Sequence, residues 1–140
     1  MDKVQILAVL TMDGCLSSEL YDKAHQDLCL DRCGLDEIRK KAFYRVTPDY
    51  SISMLHEWRK DCTNIRYLAE ATPDTADYIN GLLRMHAVDE IILYTVPFIS
   101  GSGRHFFKSA LPEQHWTLSS LKSYPNGVCR IIYILDKKAR

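Results

Sequence analysis

The stretch Val88-Asp89-Glu90-Ile91-Ile92-Leu93-Tyr94-Thr95-Val96-Pro97 decides the fold class. From Glu90 to Val96 it is rich in β-branched and aromatic residues, and Pro97 stops it, so it reads as a strand. It is the clearest strand in the chain. Lys3–Thr11, dominated by Val, Ile and Leu, reads as a strand covered on both faces. Strands of this kind belong to parallel sheets, whose connections cross over through helices.

Working outward, the turn Met12-Asp13-Gly14 ends the first strand. Ser17 or Ser18 N-caps a helix expected to reach Cys33, with Gly34 as its C-cap. A short helix is expected at Asp36–Ala42 and a weaker strand at Phe43–Val46. Thr47-Pro48-Asp49 is a turn. Ser51–Lys60, with Ile52, Met54, Leu55 and Trp58, is an amphipathic helix. Ile65–Ala69 is a strand. Thr72-Pro73-Asp74 opens a helix whose inward face is Ala76, Ile79, Leu82, Leu83 and Met85. Two final strands, Trp116–Tyr124 and Val128–Leu135, flank Pro125-Asn126-Gly127, where Asn-Gly favours a hairpin. The order predicts one α/β domain over residues 1–140. It has three layers: a mostly parallel sheet flanked by helices, closed by a C-terminal antiparallel hairpin.

The composition agrees with one ordinary globular domain: 140 residues, 46% hydrophobic and 26% charged. Eighteen basic residues balance eighteen acidic ones, which argues against nucleic acid or an anionic membrane as partner. The apolar N-terminal run is far shorter than the ~20 residues of a membrane span. With no secretory signal and an odd count of five cysteines, reduced thiols and a cytoplasmic location are expected. Cys29, Cys33 and His25 fall short of the four ligands of a structural zinc site. No metal site is expected.

Single motifs say little. Asp13-Gly14 alone is a plain turn. Gly101-Ser102-Gly103-Arg104-His105 lacks the ending of a phosphate loop and reads as a structural turn. His56, His86, His105 and His115 are scattered. Cys15 needs a paired histidine to act as a nucleophile, and the sequence does not place one.

Three segments taken in order say more: Ala8-Val9-Leu10-Thr11-Met12-Asp13-Gly14, then Val88 to Tyr94 with Pro97 to Phe107, then the Gly127–Tyr133 strand. Together they resemble the dihydrofolate-reductase-like superfamily. The nearest branch is the reductase domain of bacterial riboflavin-biosynthesis deaminase–reductases. The resemblance implies hydride transfer from NADPH to a pterin, or to the ribose of a pyrimidine intermediate. It places the site at the carboxyl ends of the parallel strands. Ala8 would flank the nicotinamide, and Thr11 would hydrogen-bond it or the substrate. Asp13, beside Gly14, would hold or polarise a substrate hydroxyl or amine. Arg45 and Thr47, in Tyr44-Arg45-Val46-Thr47, would hold NADPH phosphates. A homodimer is also implied, and the apolar run Ile131–Leu135 would need cover if it lies at a sheet edge.

The chain also departs from that pattern. The Gly-Gly pair that opens the cofactor-binding helix should fall near Asp74-Thr75 or Ala71-Thr72, yet no glycine lies between Gly34 and Gly81. Tyr44 replaces the glycine before Arg45. The middle, from Gly34 to Leu68, is short by a strand–helix unit. Two functions follow. One is a reductase with its cofactor held differently. The alternative is a non-catalytic relative that keeps the fold as a ligand-binding or interaction module.

Overall fold

Burial radiates from the first strand, β1 (Lys3–Leu10), in which every residue after Lys3 is buried. A computed structural model describes residues 3–16, 33–59, 65–97, 99, 104–108 and 111–136. On one side β1 pairs in parallel with β4 (Arg66–Glu70), which pairs in parallel with the two-residue edge strand β3 (Tyr44–Arg45). On its other side β1 runs parallel to β5 (Glu90–Thr95), in register from Gln5↔Glu90 to Leu10↔Thr95. The antiparallel strands β8 (Cys129–Leu135) and β7 (Trp116–Ser123) complete the order β3-β4-β1-β5-β8-β7. A separate antiparallel ribbon joins β2 (Cys15–Leu16) to β6 (Arg104–His105).

Alternation along the strands sorts the core into two faces. Val4, Ile6, Ala8 and Leu10 pack with Tyr67, Ala69 and Ile91 under α3 (Ala76–Arg84) and α2 (Ile52–Arg59), which contribute Ile79, Leu82, Leu83 and Leu55. Leu7 and Val9 pack with Leu68, Ile92, Tyr94 and Val96 on the opposite face, beneath Leu35 of α1 (Leu35–Lys41). Each fully buried aliphatic side chain contributes roughly 1.5–3 kcal/mol.

Two buried polar residues fix the frame. Asp89 accepts the Val4 N–H with its carboxylate at 2.9 Å, and its backbone bonds both Val4 and Leu135. The Val-Asp-Glu motif is therefore a staple at the amino end of β1, away from the carboxyl edge. Asn80 of α3, fully buried, donates to the Ala76 and Phe106 carbonyls at 2.8 Å and accepts the Lys108 N–H at 3.0 Å.

Several boundaries differ from the sequence expectation. The helix expected from Thr72 starts at Ala76, because residues 73–75 form a turn. Met85 does not face inward: it sits just past the helix end and is 55% exposed. The Ile131–Leu135 run is not an edge, since β7 pairs outside it. Gly34 is the N-cap of α1, and the helix that it was expected to end lies outside the described residues. The helix expected over Ser17–Cys33, with His25 and Cys29, lies outside the described residues apart from Cys33. So do the Gly101–Gly103 turn and the side chains of His56 and Trp58. From Gly34 to Leu68 the described elements are α1, β3, α2 and the start of β4, so this middle adds only a short edge strand. Among the described residues no helix is long and apolar enough to cross a membrane.

Candidate functional site

The chain leaves the carboxyl end of β1 through a turn that its own polar groups lock. Thr11 is buried; its N–H donates to the Cys15 carbonyl at 3.1 Å and its carbonyl accepts the Gly14 N–H at 3.0 Å. Its hydroxyl accepts the Cys15 N–H at 3.1 Å and donates to the Asp13 carboxylate. Gly14 has a φ of +77°, a conformation that an L side chain strains to adopt. The Gly14 carbonyl accepts the Phe106 N–H at 3.0 Å, coupling the turn to β6. Thr11, Asp13 and Gly14, expected together from sequence, are thus one hydrogen-bonded unit at the predicted edge.

The ribbon adds a residue that sequence could not supply. Cys15 and His105 are register partners, and the Cys15 Sγ lies 3.8 Å from His105 Nδ1. Ninety positions separate them, so only the β2–β6 pairing carries this signal. Burial and the nearby Asp13 charge push the Cys15 thiol up from its ordinary value. It is therefore held as a thiol at neutral pH and is not poised as a nucleophile. Among the described residues no group of three or more His, Cys, Asp or Glu side chains could hold a metal ion.

The remaining expected cofactor residues are placed differently. Ala8 has no exposed surface and lies within the core beneath α3. Arg45 stands on the carboxyl side of β3 but pairs with Glu70 at 3.6 Å, a carboxylate that Arg39 also binds. The Thr47 hydroxyl faces Asp49, bonding its N–H and its carboxylate at 3.4 Å each.

The loop from β4 to α3 is where a dinucleotide pyrophosphate would need free amides. Here the Thr72 N–H donates to the Thr75 hydroxyl at 2.9 Å, and the Thr75 N–H donates to the Thr72 hydroxyl at 3.2 Å. The Thr75 hydroxyl also donates to the Glu70 carbonyl at 2.9 Å. Pro73 has no N–H, and Asp77 adds a carboxylate to the first turn of α3. This loop is a poor match for a pyrophosphate: it has no glycine, two of its amides are taken by its own hydroxyls, and Asp74 and Asp77 put negative charge beside it.

A second polar cluster sits at the same edge, on the α1 face. The Tyr94 and Tyr124 hydroxyls both donate to the Cys33 carbonyl at 2.8 Å. Burial pushes Tyr94 up to about 12, with the adjacent Arg130 opposing the rise. Gly34 has φ +84°, and a methyl there would lie 3.1 Å from Arg130 Nη1. Glycine is required by both the backbone and this close approach.

No family model and no curated protein matches the chain. Solved structures do. The chain is similar to a candidate riboflavin biosynthesis protein from Shewanella sp. PV-4, at 10% identity and TM-score 0.57, over 96% of this chain and 99% of that one. It is similar to RibD from Acinetobacter baumannii at 12% identity and TM-score 0.60, over 98% of this chain but only 59% of that one. It is also similar to a pyrimidine reductase-like protein from Corynebacterium diphtheriae, at 12% identity and TM-score 0.58, over 96% and 92% of the two chains. The chain therefore shares the fold of these proteins, an α/β fold of the dihydrofolate-reductase-like type.

Proposed function

Starting from a riboflavin-reductase fold, we propose that this chain is a reductase of the riboflavin-biosynthesis or dihydrofolate type, acting on a small pyrimidine-ribose or pterin substrate. The observation that carries this reading is the Thr11–Asp13 pair at the carboxyl end of β1. Thr11, anchored by two backbone bonds and the Cys15 N–H, fixes the Asp13 carboxylate. An ionised carboxylate accepts several hydrogen bonds at once, so Asp13, while it is held by Thr11, can accept a substrate hydroxyl or amine proton and orient the group that bears it. NADPH is the hydride source that this reading names, with its phosphates held away from the β4–α3 loop.

Fluorescence titration with NADPH tests the reading. A saturable signal is expected, together with NADPH oxidation when substrate is added. No saturation at millimolar NADPH would overturn it. The β4–α3 loop favours a second reading, a non-catalytic module that binds a small ligand in the same place. Substrate binding without NADPH oxidation would select that one.

The proposal extends to the assembly: a homodimer in the cytoplasm, with neither nucleic acid nor membrane as partner. The irregularity between Leu118 and Ser120 puts Leu118 opposite Tyr133 and Leu121 opposite Ile131, on one face of the hairpin. Leu118 is 51% and Leu121 63% exposed. An apolar face on an edge strand gains by being covered by a second copy. Sedimentation at micromolar concentration checks this, with a dimer expected.

A further inference from the structure

The hairpin that closes the sheet carries two cations that nothing described balances. Lys122 and Arg130 are directly opposed partners on β7 and β8, so their side chains leave the sheet on the same face. Like charges in that relation destabilise a sheet. Arg130 is half-buried, and its Nε is buried without a hydrogen-bond partner. Among the described residues neither cation pairs with a carboxylate, whereas Arg39, Lys40 and Arg45 each do. A partly buried charge is costly unless it is paired.

The surroundings say where the missing partner sits. Arg130 is opposite Tyr94, one residue before the carboxyl end of β5, so the pair stands on the edge where open α/β sheets bind ligands. Tyr94 and Tyr124 spend their hydroxyl protons on the Cys33 carbonyl. They can only accept from Arg130, and among the described side chains of this cluster the charged donors that can face a ligand are Lys122 and Arg130. Lys122 Nζ lies 5.2 Å from the Tyr124 ring centroid, a cation–π contact that holds it against the wall of the same cluster.

We propose that Lys122 and Arg130 form a phosphate-binding site at the carboxyl edge of the sheet. A guanidinium fork beside an ammonium matches a dianionic phosphate better than a single carboxylate. In the β4–α3 loop the Thr72 and Thr75 amides are taken and Asp74 and Asp77 add negative charge, so a phosphate is better matched at the cation pair. The phosphate belongs either to a sugar phosphate or to a dinucleotide. The choice of these ligands rests on the reductase reading; binding is measured separately from hydride transfer, so the two stand or fall apart.

The test is calorimetric titration of the full chain, Lys122→Gln and Arg130→Gln with ribose 5-phosphate, NADPH and NADH. At least one phosphate ligand is expected to bind the parent chain and to weaken about tenfold or more in each variant, as for loss of a charge-assisted bond. Weakening of ribose 5-phosphate alone assigns the site to a sugar phosphate. Weakening of NADPH but not NADH assigns it to the cofactor's extra phosphate. Equal affinities in parent and variants, or no binding of any of the three, would overturn the proposal. Lys122 is exposed, so its variant keeps the test open if Arg130→Gln fails to fold.

Discussion

Two loops leave neighbouring parallel strands at the same edge, and they use their polar groups in opposite ways. After β1, Thr11 bonds the backbone around itself and fixes a carboxylate, Asp13. After β4, Thr72 and Thr75 bond each other's amides and the Glu70 carbonyl. The residue types are similar. The difference is what the hydroxyls hold: a charged side chain in one loop, main-chain groups and each other in the other. A hydroxyl can organise a site or close it, according to whether it bonds a charged side chain or a backbone amide.

The strongest way to break this contrast is through the strut that joins the two regions. Asn80 lies on the helix after the second loop and holds the Phe106–Lys108 segment beside the first. Asn80→Ala leaves buried backbone groups unpaired and opens a cavity. We expect a loss of about 3 kcal/mol, read by urea unfolding.

Removing the Asp13 charge comes next. Asp13→Asn keeps the size but loses the charge, and kcat is expected to fall about a hundredfold, in the range of general acid–base effects. Unchanged turnover would shift the substrate contact away from Asp13. Stripping the second loop of its hydroxyls sharpens the contrast from the other side. Thr72→Ala with Thr75→Ala removes the hydroxyl bonds to the two amides and to the Glu70 carbonyl and is expected to cost about 1–2 kcal/mol of stability, read by urea unfolding. NADPH affinity, measured by fluorescence, is expected to be the same in the double variant as in the parent. Tighter binding would place the cofactor phosphates at this loop.

The smallest effect concerns Cys15, inside the first loop. Its folded-state pKa is raised, so the folded chain holds the thiol proton more tightly than the unfolded chain does. The stability this contributes is present below the ordinary thiol pKa and is lost as pH rises through the folded value. Thermal unfolding across pH 7–10 should show that decline, and Cys15→Ser should flatten it. Alkylation of Cys15 should be slow at neutral pH and quicken above the ordinary thiol range.

Much of the frame was legible from residue pattern. Apolar runs marked β1 and β5 as strands, β1 as one covered on both faces, and Pro97 and Asn126-Gly127 marked stops and turns. The edge that bears Thr11, Asp13 and Gly14 followed from the strand–turn order. Less legible were the ends of elements. Residues 73–75 form a turn, closed by the reciprocal bonds between Thr72 and Thr75, so α3 begins at Ala76. Met85 fits the helical spacing of an inward residue, but the helix ends at Arg84 and turns it outward.

What the sequence determined by itself is therefore local: which segments are strands, which helices cover them, and which loop carries the Thr-x-Asp-Gly turn. These follow from periodicity and from steric limits on the backbone, which act within a few residues. What only the tertiary structure decided is pairing between distant residues. It set His105 beside Cys15, Arg45 against Glu70, and Arg130 with Tyr94 over Gly34. Those contacts depend on strand register, and a one-residue slip would turn every one of these side chains to the opposite face.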